Sequence, residues 1–588
     1  MSSSPVCTCS VCPAHPASPG ADHPGAAAGW ADPARRHLES AVEWLDGPEA
    51  MGAGHGELEA QLQVHSREQY RLLLQGHLDQ RARLEKRRSG VTGSDDVSRP
   101  RVENAHRRGL TTVFGPVTVT RKAYRAVPGA TAGDAGGACP TGSDALPGPA
   151  TDLMTDDTGT TTGTAPPAAA PDAAPDAAPD AAEPDPAEPA TRNLYPADAV
   201  LNLPMGKHSA GLARLAAVEA ERGSFADARE AIERATGVRL GKRQVEQLAR
   251  TAAVDTEAFY AARRPLPCPG RVLGLQADGK GIVMRPGSLR PGTAARAAQA
   301  STKLATRLSP GEKHGRKRMA EIVAVYDLDP AARTVADIIP TRRSPQQDKS
   351  PQDKPARRPG PVVTGKWLAA NVTDDLPAVI AAMFDEAERR DPAHERTWVA
   401  LVDGNCQQID TIRAQAAARD VTVTIVIDFV HVLEYLWKAA WTFFYPGDRD
   451  AEAWVADRAR TVLNGRAVDA AATITYQADE AGFRGSERTG ADEAAAYLTR
   501  KAPYLDYATA LASGWQIATG IIEGAARFLI KDRMDITGAR WSTPGAEAVL
   551  RLRAVIANGD FDEYWQWHQQ QELRRNHLDR YQELDLAA

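Results

Sequence analysis

The amino-acid sequence predicts an α/β protein whose mixed sheet is interrupted by an all-helical insertion and preceded by a helical and hairpin region. Three observations predict it. Residues 398–402 are apolar without a break and end on Asp403 and Gly404, the pattern of a strand buried on both faces. A second apolar run, 421–427, ends on Asp428, with a helix pattern at 406–419 between the two, so these strands are parallel and joined by a crossover. Upstream, 271–284 and 319–328 are further strand-like runs.

Charge is unevenly spread along the 588 residues. Between Arg125 and Arg192 there is no Lys or Arg, and removing the eleven acids of that stretch turns the net charge of −6 into +5. The part able to fold is therefore mildly basic, which permits a polyanionic partner. Six scattered or clustered Cys are no disulfide framework for a chain of this length. No signal peptide or long apolar span is visible, so a cytoplasmic setting without membrane association is expected.

Residues 1–54, rich in Ser, Pro, Gly and Ala, read as a disordered tail. Cys7, Cys9, Cys12 and His15 are possible zinc ligands there, at a spacing unlike paired knuckles; free thiols on a tail are the alternative. The N-terminal domain, 55–126, opens with a helix over 55–88, where Leu58, Leu62, Tyr70, Leu73, Leu74 and Leu78 recur at three- and four-residue steps. A β-hairpin follows at 110–125, with its turn at Gly115-Pro116 and basic ends at Arg107, Arg108, Arg121, Lys122 and Arg125. Residues 127–193 form an acidic linker with tandem Pro-Asp-Ala-Ala repeats, too poor in apolar residues to bury a core.

A helical region spans 194–265. One helix covers 210–222 and stops at Gly223. A capping box, Ser224 to Asp227, opens the next, which stops at Gly237; a third covers 242–262. Helices two and three have the proportions of a helix-turn-helix. Lys242, Arg243, Gln244 and Arg250 on the third are candidate DNA contacts, although an ordinary helix pair looks the same.

The sheet domain is expected over 266–445 and 513–560. Its strands fall at 271–284, 319–328, 334–341, 398–402 and 421–427, with a helix at 374–390. Two basic segments lie within it, 285–318, which ends on Arg316, Lys317 and Arg318, and 342–358. Residues 446–512 form the helical insertion. A helix over 520–534 carries Glu523 early and Arg527, Lys531 and Arg533 later, Arg527 and Lys531 being four apart on one face; these three cations and Arg316, Lys317 and Arg318 are further candidate DNA contacts. A C-terminal helix and tail, 561–588, close the chain.

Three acids occupy corresponding places on these elements. Asp278 lies within the first strand, Asp403 just past the fourth and Glu523 on the helix after the fifth. The order of elements is that of a ribonuclease H-like core, in which those places converge on one sheet edge. Converging carboxylates repel unless cations neutralise them, and hard oxygen ligands suit two Mg²⁺ or Mn²⁺ ions acting on a phosphodiester. Unrelated strand-end acids, with Asp403 merely opening its helix, are the other reading. A carboxylate-pair hydrolase such as a glycosidase would need no metal.

Five runs carry a family resemblance: Gln276-Ala-Asp-Gly-Lys-Gly281, Gly311-Glu-Lys-His-Gly-Arg-Lys-Arg-Met-Ala320, Leu401-Val-Asp-Gly-Asn405, Asp428-Phe-Val-His-Val-Leu-Glu-Tyr-Leu-Trp-Lys-Ala-Ala440, and Ile517-Ala-Thr-Gly-Ile-Ile-Glu-Gly-Ala-Ala526 continuing through Trp541. In these the chain resembles the ISKra-type insertion-sequence transposases of the DDE class, over most of 55–125 and 193–585. The resemblance implies metal-dependent cleavage and joining of double-stranded DNA at transposon terminal inverted repeats and target DNA. It implies Asp278, Asp403 and Glu523 as catalytic metal ligands. Asp428 and His431 match the Asp-x-x-His pair of the related Mutator-like transposases and are expected to support the active-site edge. A homodimer or higher oligomer on DNA, associated with the nucleoid, is expected. A DNA-binding protein derived from a transposase but inactive as an enzyme is the alternative.

Overall fold

The computed structural model describes residues 29–127, 193–264, 270–299, 316–340, 357–536 and 538–585. The possible zinc ligands, nearly all of the acidic linker and much of both basic segments lie outside them. The chain divides into two compact units. One comprises Met1–Leu110, Pro116–Lys207 and Glu572–Ala588; the other comprises Thr111–Gly115 and His208–Gln571.

In the first unit, α1 (Asp32–Leu45), α2 (Pro48–Gly52) and α3 (His55–Leu84) are helices. The expected tail is thus helical over most of 32–52. The alanines that suggested disorder supply a small-residue face instead: Ala34 and Ala41 are buried, and α1 packs on α3. A ring nitrogen of His37 lies 3.2 Å from the His65 carbonyl. Strands β1 (Arg101–Thr112) and β2 (Gly115–Arg125) form the hairpin. Its turn is Val113 and Phe114, two residues earlier than Gly115-Pro116, because Thr112 Oγ1 donates to the Gly115 carbonyl and accepts from Phe114 N–H. Helix α4 (Pro196–Val200) presents buried Asp198 to Arg121 at 2.6 Å and to Arg108 at 3.8 Å. These hairpin cations are therefore engaged inside their own unit.

In the second unit, α5 (Ala210–Arg222) and α6 (Phe225–Thr236) have the expected bounds. Ser224 and Asp227 form the capping box, and Gly237 ends α6 in the left-handed region. The third helix is two, α7 (Lys242–Ala252) and α8 (Thr256–Ala261). It breaks where Thr256 Oγ1 donates back to the Ala253 carbonyl and Asp255 pairs with buried His568 at 2.6 Å. A Ser, Thr or Asp that bonds locally competes with helix continuation.

The sheet contains β3 (Val272–Val283), then, after α9 (Pro291–Gln299), β4 (Lys317–Asp329). Next come α10 (Val335–Ile338), β5 (Val362–Asn371), α11 (Leu376–Arg390), β6 (Thr397–Val402), α12 (Cys406–Ala418) and β7 (Val423–Ile427). Its order is β5-β4-β3-β6-β7, antiparallel from β5 to β3 and parallel from β3 to β7. The third strand is β5, not 334–341. Thr334 caps a short helix there through Asp337. Gly365, at φ +57°, breaks the alternation of β5 beside a register shift, so the strand carries no clear period-two pattern.

Helix α13 (Phe429–Phe443) leads into α14 (Arg449–Leu463), α15 (Ala467–Glu480), α16 (Thr489–Lys501) and α17 (Tyr507–Ala512). This insertion has no core of its own; its buried side chains belong to the same apolar cluster as the sheet. The expected helix at 520–534 is three pieces: α18 (Gly520–Ala525), a π-helical turn (Ala526–Lys531) and α19 (Asp532–Met534). Helices α20 (Thr543–Ala557) and α21 (Phe561–Asn576) follow. Helix α20 shares a buried cluster with α5, α6 and α7, so the helix-turn-helix segment is continuous with the sheet's unit.

Candidate active site

Strand register sets the positions of the acids. The β3–β6 ladder pairs Gln276 with Leu401, and the β6–β7 ladder pairs Val402 with Ile427. Asp278 lies two residues beyond Gln276, Asp403 two beyond Leu401, and Asp428 one beyond Ile427. Parallel strands in register carry level side chains to one face, so Asp278, Asp403 and Asp428 stand abreast at the carboxyl edge. Each is fixed by a local bond. Gly279 N–H donates to Asp278 at 2.7 Å, Asn405 N–H to Asp403 at 2.8 Å, and Val430 N–H to Asp428 at 2.8 Å, where Asp428 caps α13.

Glu523 reaches the same edge from α18. The Ile522 N–H belongs to the first turn of that helix and has no partner within it. It donates instead to Gln276 Oε1 at 2.9 Å. Gln276 is 0 % exposed, and its amide donates to Tyr326 Oη at 2.8 Å. Tyr326 donates in turn to Gln516 Oε1 at 2.7 Å. The Thr519 hydroxyl donates to Asp428 Oδ2 and lies 3.3 Å from Glu523 Oε1, joining two of the acids.

The charges interact. Burial raises the Asp278 carboxyl above its ordinary range, and repulsion from Asp403 and Glu523 raises it further; the Gly279 N–H and Lys280 oppose the rise. A fourth acid belongs to the group. Glu321 stands opposite Gly279 in the β3–β4 ladder. A side chain at 279 would press on it, since a Cβ there would lie 3.0 Å from Glu321 Oε2. Burial raises Glu321 as well, followed by repulsion from Asp278 and, after the opposing Arg290, from Asp403.

No three of these acids bring one oxygen each within 4.8 Å of one another, so they are not a closed shell around one ion. They are an all-oxygen donor set spread along an edge, with mutual repulsion that a cation would relieve. That chemistry fits hard divalent ions, and the spread suits two better than one.

The other expected site residues divide. His431 is half-buried and pairs with Glu434 of its own helix at 3.3 Å, so it turns along α13 while Asp428 meets the acids. Lys242, Arg243 and Arg250 are exposed on α7; Gln244 is exposed, but its Oε1 caps that helix by accepting from Gly241 N–H. Arg316 and Lys317 are exposed, as are Arg527 and Lys531.

Two of the expected DNA contacts are engaged within the protein. Arg318 donates to the Val372 and Thr373 carbonyls at 2.7 and 2.9 Å, tying β4 to the end of β5. Arg533 is 2 % exposed, donates to the Ala220 carbonyl at 3.1 Å and lies 4.7 Å from the Trp541 ring centre. Arg533 lies two residues past Lys531, about 200° around a helix, so it faces away from the Arg527–Lys531 stripe and into the core.

Glu321, Gln276 and Thr519 were not singled out from the sequence. Glu321 had a visible signal, an acid between Ala320 and Ile322 in an apolar run, but only pairing with Gly279 gives it meaning. The chain matches no known protein-family model, and no curated protein matches it.

Proposed function

We propose that this chain is a DDE transposase that cleaves and joins DNA strands at the ends of an insertion sequence, in a metal-dependent reaction on a ribonuclease H-like domain. One observation carries the reading: Asp278 and Asp403 stand level on adjacent parallel strands, and the Ile522–Gln276 bond fastens the helix of Glu523 beside them. A sheet with three antiparallel strands followed by two parallel ones also supports the ribonuclease H-like assignment.

Two Mg²⁺ or Mn²⁺ ions, when bound, supply charge neutralisation and Lewis acidity at the phosphodiester. Asp278, Asp403 and Glu523 would hold them, with Glu321 beside Asp278. Asp403 occupies the middle strand of the three, next to both Asp278 and Asp428, so it is the ligand best placed to be shared. Thr519 holds Asp428 and orients Glu523. Gln276 keeps α18 at the strand end. Arg316, Lys317, Arg527 and Lys531, with Lys242, Arg243 and Arg250 on α7, are exposed to meet phosphates.

The test is Mg²⁺-dependent nicking of duplex DNA bearing the inverted repeats that flank the gene. Wild type nicks, whereas Asp403→Ala binds the same DNA and does not cut. Binding without nicking by both proteins would assign the chain as an inactive DNA-binding protein. Failure of both to bind would sink the transposase reading.

A further inference from the structure

The helical insertion places a buried phenol against the turn that carries Asp403. Tyr497, on α16, is 4 % exposed, and its Oη has no hydrogen-bond partner. It stacks on Tyr435 with ring centres 3.8 Å apart. Oη presses on Gly404, where an added Cβ would lie 2.8 Å away; Gly404, at φ +94°, is glycine for both reasons. Four residues on, on the same face of α16, buried Lys501 donates to Cys406 Sγ at 3.1 Å, at the other end of the same turn.

A buried hydroxyl is normally satisfied, and an orphaned one needs a reason. Burial holds the phenol well above its ordinary pKa, with further contributions from Tyr435, Asp403 and Asp428 and opposition from Arg500. The phenol O–H is a donor facing these carboxylates. Of the two carboxylates beside it, Asp428 already accepts at both oxygens and Asp403 at one. Asp428 Oδ1 accepts from Val430 and Oδ2 from Thr519; Asp403 Oδ1 accepts from Asn405. Among the described residues, Asp403 Oδ2 accepts no hydrogen bond.

We infer that Tyr497 is a positioning residue whose hydroxyl, without a partner in the metal-free protein, donates to Asp403 Oδ2 once a cation binds there and holds this carboxylate in place, so that the insertion completes the site. A carboxylate oxygen has two lone pairs, and one can accept the phenol while the other meets a cation. The inference rests on the reading of Asp403 as a cation ligand.

The test compares full-length wild type with Tyr497→Phe, which keeps the ring stack and removes only the hydroxyl. Melting is followed without metal and across a Mg²⁺ titration, alongside DNA nicking. Tyr497→Phe should melt within about 1 °C of wild type in chelator, because its hydroxyl bonds to nothing in the metal-free protein. Its Mg²⁺ midpoint should rise about tenfold, the size of one hydrogen bond to a charged group. A fall in melting temperature without metal would make the hydroxyl structural and overturn the inference. An unchanged Mg²⁺ midpoint in a variant of a responsive wild type would overturn this inference alone. A wild type that neither responds to Mg²⁺ nor nicks would overturn the site reading, and this inference with it.

Discussion

Ile522 donates its backbone N–H to the side chain of Gln276, 246 residues earlier, at 2.9 Å. A strand side chain thereby caps a helix that begins far along the chain. The two acids it brings together, Asp278 and Glu523, are the immediate neighbours of this bond: one lies two residues past Gln276, the other one residue past Ile522.

Gln276→Leu keeps the volume and removes the cap. Ile522 N–H is left buried without an acceptor, and Tyr326 Oη loses a donor. Urea unfolding should show a loss of about 2 kcal/mol. The cleavage rate should fall by more than DNA affinity does, because the variant displaces Glu523 and leaves the exposed cations alone. Equal losses in both would mean that the bond serves the fold and not the site.

Stability without metal should depend on pH through Asp278 and Glu321. Both carboxyls are raised in the folded protein, chiefly by burial. A raised acid holds its proton more tightly folded than unfolded. Its contribution is complete below the ordinary carboxyl range, about pH 4, and is lost as pH rises through the folded value. In chelator, wild type should therefore lose stability from mildly acid to neutral pH relative to Asp278→Asn and Glu321→Gln. Mg²⁺ should counter that loss and add more at neutral than at acid pH, since it binds the deprotonated groups. Parallel pH profiles for wild type and both variants would refute this.

The arginines that look alike in sequence should separate on substitution. Arg316→Ala with Lys317→Ala should weaken DNA binding and lower the salt slope of log affinity by about 2, with little change in stability. Arg533→Ala removes a side chain buried between Phe225 and Trp541 and should cost about 3 kcal/mol of stability. A folded Arg533→Ala protein with a reduced salt slope would return that residue to the DNA surface.

The sequence by itself determined the elements whose signals are local. The apolar run at 398–402, the Ser224–Asp227 capping box, the Gly223 and Gly237 stops and the parallel crossover through α12 all read correctly, because periodicity and caps act within a few residues. It also singled out Asp278, Asp403 and Glu523, three acids whose charges interact in the fold. Tertiary structure decided the rest. Val362–Asn371 became the third strand although Gly365 broke its pattern, because pairing to β4 outweighed local alternation. Arg533 packed inward against Phe225 and Trp541, and Arg318 went to the carbonyls of a neighbouring strand end. Glu321, Thr519 and Tyr497 joined the acids only through register and packing. A side chain's partner is set by what the fold brings across tens or hundreds of residues, and no local pattern of charge or hydropathy encodes it.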